Sequence, residues 1–412
     1  MIESIYTVLL TQALNTTPIQ DQGLMHSKSS KRYELKRVQM QEETPIKPFA
    51  KLRTAYIYRD DKLGDVPSNY ATAVGGYLGI DTASYQNFNL HVAAYISEDI
   101  DFLTGEGSYQ NREFLDNNGQ GYAYIGEASL VYKTQGFEAM LGRIKIDTPY
   151  AGSDDIRMSF NTFEGAWAYV DIFENTSLQS YYLHRMAGID SDGNQNEFDP
   201  LYDEDAFGLT GIALDYHYEE NEIALWYYYV DKMAQLLYLE SHYSLDIDRN
   251  WHMDFGVQGS SLNELDDSGV EGDVVGLSGM LHYRQLFMGG AYNYGFVSES
   301  KQLSDGFGGG PYFTSLDEAT LAAASSLAVG EDVKAYRLGL GYEEILGQDL
   351  VLELIHGHLV SEDKTVDIEE NDIIITYQIT QNLYFEGVGA KFHQYKSANK
   401  FERLVLRLDY SF

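Results

Sequence analysis

Basic side chains are scarce in this chain, only 28 Lys and Arg against 63 Asp and Glu, so where they recur at even spacing is informative. Lys51 and Arg53 stand two apart near the start of the patterned region, and Arg403 and Arg407 stand four apart near its end. In an extended strand both spacings place the pair on one face. Arg143, Lys145, Arg185 and Arg337 occupy comparable positions in between. A column of guanidinium and ammonium groups on a polar wall would guide carboxylate-bearing solutes, because Arg offers a planar two-toothed fork to a carboxylate. The plainer reading is that these cations neutralise neighbouring Asp and Glu. A second constellation lies in GRIKIDTPYAGSDDIRMSFNTFEGAWAYV (142–170), where Arg157 follows Asp154 and Asp155. Pro149, Gly152 and Ser153 break strand pairing there, so the chain must fold inward or outward. Folded inward, it would form a constriction with opposite charges that orient dipolar solutes.

The elements that would carry these groups follow from hydrophobic periodicity. From Pro48 onward, stretches of about ten residues alternate in polarity and end in a turn or loop, the pattern of a transmembrane strand. At the first, Ala50, Leu52, Thr54, Tyr56 and Tyr58 oppose Lys51, Arg53, Ala55 and Arg59. Later, Tyr122, Tyr124, Ala128, Leu130 and Tyr132 oppose Glu127 and Ser129, and Ile212, Leu214 and Tyr216 oppose Asp215 and His217. Eighteen such segments can be counted between 48–60 and 401–412, with sixteen as the alternative. Short links at Glu220, Arg284 and Thr380–Gln381 alternate with long polar loops at 99–120, 188–204 and 298–331, except for a short link at 233–234 where a long one is due. The expected fold is therefore all-β, an antiparallel up-and-down transmembrane barrel over 48–412 with an inward-folded constriction loop. Residues 1–47 form a polar lead-in that could carry a degenerate or replaced export signal, although Met1–Asn15 lacks a basic start and a clear cleavage site.

Composition agrees. There are 34 Tyr against 19 Phe and 3 Trp, suited to a wet–dry boundary, and Gly (38) far outnumbers Pro (7). No apolar run reaches the roughly 18 residues of a membrane helix. The net charge of −35 argues against nucleic acid as a partner. Acidic loops rich in Asp190, Asp192, Glu197, Asp199, Asp203 and Asp205 could hold calcium loosely, but Gln195 and Leu201 stand where an EF-hand needs glycine and an acid. No other cofactor is expected.

The chain ends in FERLVLRLDYSF, with Leu404, Leu406, Leu408, Tyr410 and Phe412 on one face and Arg403, Arg407 and Asp409 on the other. This is similar to the C-terminal signature of bacterial outer-membrane proteins, so Tyr410 and Phe412 are the expected signal to the barrel-assembly machinery. Gly142, Thr148, Pro149, Asp155, Arg157, Thr162, Phe163 and Gly165 resemble the pore-loop run of the OprD family of substrate-selective porins. Phe160 departs from it, standing where the family has proline. The resemblance implies an 18-stranded barrel, a narrow eyelet with Arg157 facing it and Asp154 and Asp155 opposing, a basic ladder, and passive uptake of small carboxylates.

The environment expected is outer-membrane lipid and lipopolysaccharide, as monomer or homotrimer. A cation-selective general porin and a display barrel without transport stay open as alternatives. Three further motifs carry less. His356 and His358 share a strand face without a third ligand, His242 and Ser244 would suit a serine hydrolase only with an orienting group, and GFGGGP (306–311) reads as a flexible loop.

Overall fold

The computed structural model describes residues 46–62, 66–191 and 193–412. Residues 1–45 of the lead-in, residues 63–65 and Asp192 lie outside these residues, while Lys47 already belongs to the first strand. Eighteen long strands form one closed antiparallel sheet: β1 Lys47–Asp61, β2 Asn69–Asp81, β3 Phe88–Asp99, β4 Tyr122–Thr134, β5 Phe137–Ile144, β6 Thr162–Phe173, β7 Thr176–Ala187, β8 Leu209–Tyr218, β9 Asn221–Val230, β10 Ala234–Asp246, β11 Trp251–Glu264, β12 Gly272–Tyr283, β13 Leu286–Val297, β14 Val333–Tyr342, β15 Leu350–Ser361, β16 Asp367–Thr380, β17 Leu383–Gln394 and β18 Lys400–Ser411. Each pairs with its neighbour in sequence, and β18 closes on β1 from Lys51↔Ser411 to Asp61↔Phe401. Closure leaves no sheet edge, which is what lets strands sit in lipid.

The alternation seen in the sequence is the alternation of the wall. On β18, Leu404, Leu408 and Tyr410 are exposed on the outside while Arg403, Arg407 and Asp409 are buried within. On β8, Ile212, Leu214 and Tyr216 face out and Ala213 and Asp215 face in. One segment differs from expectation. Opposite Ala93 and Ala94 the register of β4 jumps from Glu127 to Ile125, so Gly126 is extra. This bulge flips the face, so that Tyr122 is buried inside while Leu130 lies outside. Expecting both on one face was therefore wrong, because simple period-2 counting cannot register an inserted residue.

The links sort by barrel end. One end has turns such as Gln135–Gly136, where Gly136 takes φ 76°, a conformation suited to a two-residue hairpin turn. The other end carries the long segments 100–121, 145–161, 188–208 and 298–332, and also the short link 231–233, which keeps the alternation of ends intact. All four long segments pack buried side chains against the barrel interior: Phe114 and Leu115, Tyr150 and Ala151, Leu201, and Tyr312 and Phe313. The last segment includes a short helix, α1 (Leu321–Leu327), capped by the Thr320 side chain.

Candidate pore constriction

The β1–β18 seam sets the geometry. Register places Arg53 opposite Asp409, Ala55 opposite Arg407 and Arg59 opposite Arg403. Arg53 and Asp409 form a fork, with Nε–Oδ1 at 2.7 Å and Nη2–Oδ2 at 2.5 Å. Arg407 meets Glu386 from β17. Arg59 opposite Arg403 is a like-charge pair, which destabilises a sheet unless acids arrive from elsewhere.

Acids from three loops reach the seam, two of those loops serving this pair. Asp155 of segment 145–161 takes the second fork of Arg53, at 2.5 and 2.9 Å, and lies 3.4 Å from Lys51 Nζ. Its backbone carbonyl accepts from Arg407, and the carbonyl of Arg157 accepts from Arg53 at 2.5 Å. Glu113 of segment 100–121 bridges Arg157 (2.7 Å) and Arg403 (2.9 Å). Asp317 (3.0 Å) and Glu318 of segment 298–332 also pair with Arg403, and Glu318 stands 3.7 Å from Arg59. Arg53 and Arg403 are almost entirely buried in this network. Burial favours the neutral form of Glu113, but Arg157 and then Arg403 outweigh it and hold its carboxyl below the ordinary range. Asp155 is likewise held well below it, burial being overcome by Arg53 and Lys51.

Of the predicted constriction residues, Asp155 and Arg157 come together at the wall, with Asp155 lying on the basic column instead of opposing it. Arg157 neighbours the same column through Glu113. Asp154 is buried beside Gly152. Lys145 joins the interior: its Nζ is 3.4 Å from Glu127 and 4.2 Å from the Phe160 ring centre. Phe160 fills the space between Lys51, Tyr77 and Tyr95. Arg337 is buried near Glu353, Asp372 and Glu370, about a quarter of the way round the wall on β14. Arg143 and Arg185 are the exceptions. Their neighbours Ile144 and Met186 are buried inside, and both arginines pair across strands with Glu164 on the outer face. Placing Arg185 on the inner wall was an error of parity, since the extra residue near His184 in β7 shifts the count, whereas Arg143 simply alternates with the exposed Phe137 and Leu141 on the outer face of β5.

Sequence reading missed the second inward loop. Ala151 pairs with Phe307, and the backbone exchanges Phe307 N to Tyr150 O and Gly152 N to Phe307 O, both at 2.9 Å. The glycines of 306–311 permit this approach: Gly306 has φ 75°, and a Cβ there would lie 2.3 Å from the Tyr150 carbonyl oxygen. GFGGGP is therefore a docked joint. Tyr150 Oη also meets Ser260 (2.6 Å) and Tyr312 (3.2 Å), which ties both loops to β11. The concentration of glycines was the available signal.

Between the loops and the wall lies a cavity of about 500 Å³ lined by Arg59, Asn69, Gln110, Asn111, Arg112, Glu113, Asn117, Ile189, Gly193 and Gln195. Arg59 and Glu113 connect it to the column. Facing the column, nine strands round, the wall carries Asp215, Glu240 and Asp254. Ser244 donates to Asp254, whose oxygens also face His252 (3.0 Å) and His282 (3.6 Å), while His242 contacts Glu240. His356 and His358 are taken up by Asn371 and Asp367.

No family model matches the sequence, and no curated protein matches it at a significant level. Its fold is shared with solved porins. OccAB2 of Acinetobacter baumannii superposes with a TM-score of 0.75 at 14% identity, covering 89% of this chain and 98% of that one. OccK9 (OpdG) of Pseudomonas aeruginosa gives 0.76 at 15%, with the same coverage. Pseudomonas aeruginosa OpdK, solved with vanillate, gives 0.74 at 15%, again with 89% and 98% covered. These neighbours are OprD-family porins, so the resemblance first carried by a run of some 25 residues extends, as fold, over the whole barrel.

Proposed function

We propose that the chain is an integral outer-membrane porin through which small hydrophilic solutes diffuse passively, with a bias toward carboxylates. The long-loop end would face outward, and no bond is made or broken. The carrying observation is Arg53, whose guanidinium fork already holds two carboxylates, Asp155 and Asp409, at the point where the loops meet the wall. A solute carboxylate entering by the amide-lined cavity would meet Arg59 and then exchange for loop acids along Arg403, Arg407 and Arg53. OpdK, a fold relative, was solved with the carboxylate vanillate. The acids on the β8–β11 side would complete a transverse field that orients dipolar solutes.

One observation favours a second reading, a cation-selective general porin. Lys51, Arg53 and Arg407 are matched by Asp155, Asp409 and Glu386, so this part of the column carries little net charge. Single-channel recording in a planar bilayer under a salt gradient tests both. Discrete steps with a reversal potential on the anion side support the carboxylate reading, and one on the cation side supports the general porin. Silence from folded, inserted protein would overturn both.

A further inference from the structure

The outer wall carries a charged row that transport does not use. Arg143, Glu164 and Arg185 pair side by side across β5, β6 and β7, beside Ala128 of β4. The next row on the same face is apolar: Leu130, Leu141, Ala166 and Tyr182. The charged row lies two residues, roughly 7 Å, further toward the long loops. One carboxylate serves two guanidiniums and an imidazole there. Arg143 Nε is 2.9 Å from Glu164, Arg185 4.0 Å and His184 3.8 Å. Arg143 Nη1 also donates to the Ile125 carbonyl at 2.8 Å, yet the Arg143 and Arg185 side chains retain 36% and 49% of their accessible surface, so each guanidinium keeps an exposed edge for a further partner. Aromatic rings surround them: Phe198 under Arg143 at 4.3 Å, and Tyr182 stacked on His184 at 5.7 Å and tilted against Phe207 at 4.7 Å.

A net positive patch on a chain of net charge −35 is a local exception. Cations on a lipid-facing surface are costly at mid-membrane depth and tolerated at its rim. We infer that this row is a binding site for the phosphate of a lipid headgroup in the leaflet at the long-loop end, held by the two guanidinium forks with the aromatic rings at the wet–dry boundary. The inference rests on the membrane reading above.

The test is native mass spectrometry of the full chain in detergent micelles, with phosphatidylglycerol and phosphatidylcholine as probes. Wild type should retain phosphatidylglycerol preferentially, and the Arg143→Gln/Arg185→Gln double variant should lose that preference by about tenfold, the loss of one charge-assisted contact. A Lys364→Gln/Lys396→Gln control, with equal charge loss on exposed loops at the same end, should leave it intact. Glu164→Gln should strengthen retention by releasing both guanidiniums. Equal loss in the two double variants, or weaker retention in Glu164→Gln, would overturn the site in favour of a general charge effect or a self-contained ion cluster. Competition by inorganic phosphate would overturn the lipid as its source. Failure of the wild type to insert into vesicles would instead sink the membrane reading, whereas normal insertion without lipid preference would sink this inference alone.

Discussion

Replacing Asp155 by asparagine removes one charge and almost no volume at the joint between the 145–161 loop and the wall. Asp155 accepts two charge-assisted bonds from Arg53, at 2.5 and 2.9 Å, inside a network where its side chain keeps only 10% of its exposure. Such bonds contribute about 1.5–3 kcal/mol each. Asparagine keeps one carbonyl acceptor, and Arg53 keeps Asp409, so the expected loss in loop docking is about 2 kcal/mol, or roughly 30-fold in the docked-to-undocked ratio. The local balance also changes, leaving Lys51, Arg53 and Arg407 facing Asp409 and Glu386 alone. Single-channel recording should therefore show more open-channel noise and a reversal potential displaced toward anions. Heat-modifiable migration on gels should confirm an intact barrel. If noise and reversal potential both match wild type, Asp155 neither pins the loop nor sets the local charge, and the reasoning fails.

Arg157→Ala removes the guanidinium that shares Glu113 with Arg403. It should raise conductance and weaken any anion preference, and unchanged values would remove Arg157 from the constriction. Phe160→Ala removes the ring beneath Lys145; a cation–π contact contributes about 1 kcal/mol, so single-channel conductance should rise as Lys145 gains freedom. Deleting Phe412, which is exposed and packed edge-on against Tyr410, should reduce the yield of assembled barrel in cells but not the conductance of assembled molecules. Glu113 and Asp155 have depressed carboxyl values in the folded state, so their clamping is fully present above the ordinary carboxylate range and is lost as pH falls through the folded values. Channels should stay quiet from pH 7 to 5 and become noisy only below about pH 4; noise appearing between pH 7 and 5 would contradict this.

Much of the barrel is legible in the chain because a closed wall with an apolar outer and a polar inner face enforces a period of two on every strand. The limits of β6 and β7, and those of β18 to within one residue, coincide with the alternating segments. The same rule identified Lys51, Arg53, Arg403 and Arg407 as one inward column, since β1 and β18 must meet when an even number of strands closes. It failed where the pleat itself was interrupted. One extra residue at Gly126 turned Tyr122 inward, and the irregularity near His184 turned Arg185 outward.

By itself, then, the sequence pointed to eighteen strands with sixteen as the alternative, to which face of most strands is turned outward, and to segment 145–161 leaving the sheet, because these depend on neighbours along the chain. Tertiary structure alone decided that Asp155 binds the basic column instead of opposing it, and that Glu113 and Glu318 arrive there from other loops. It also decided that glycines 306–310 let a second loop dock on Tyr150. Those contacts join residues 44 to 156 positions apart, through loops whose polar residues carry no period. Only the closed wall, by fixing where each loop begins and ends, brings their charges within reach of one another.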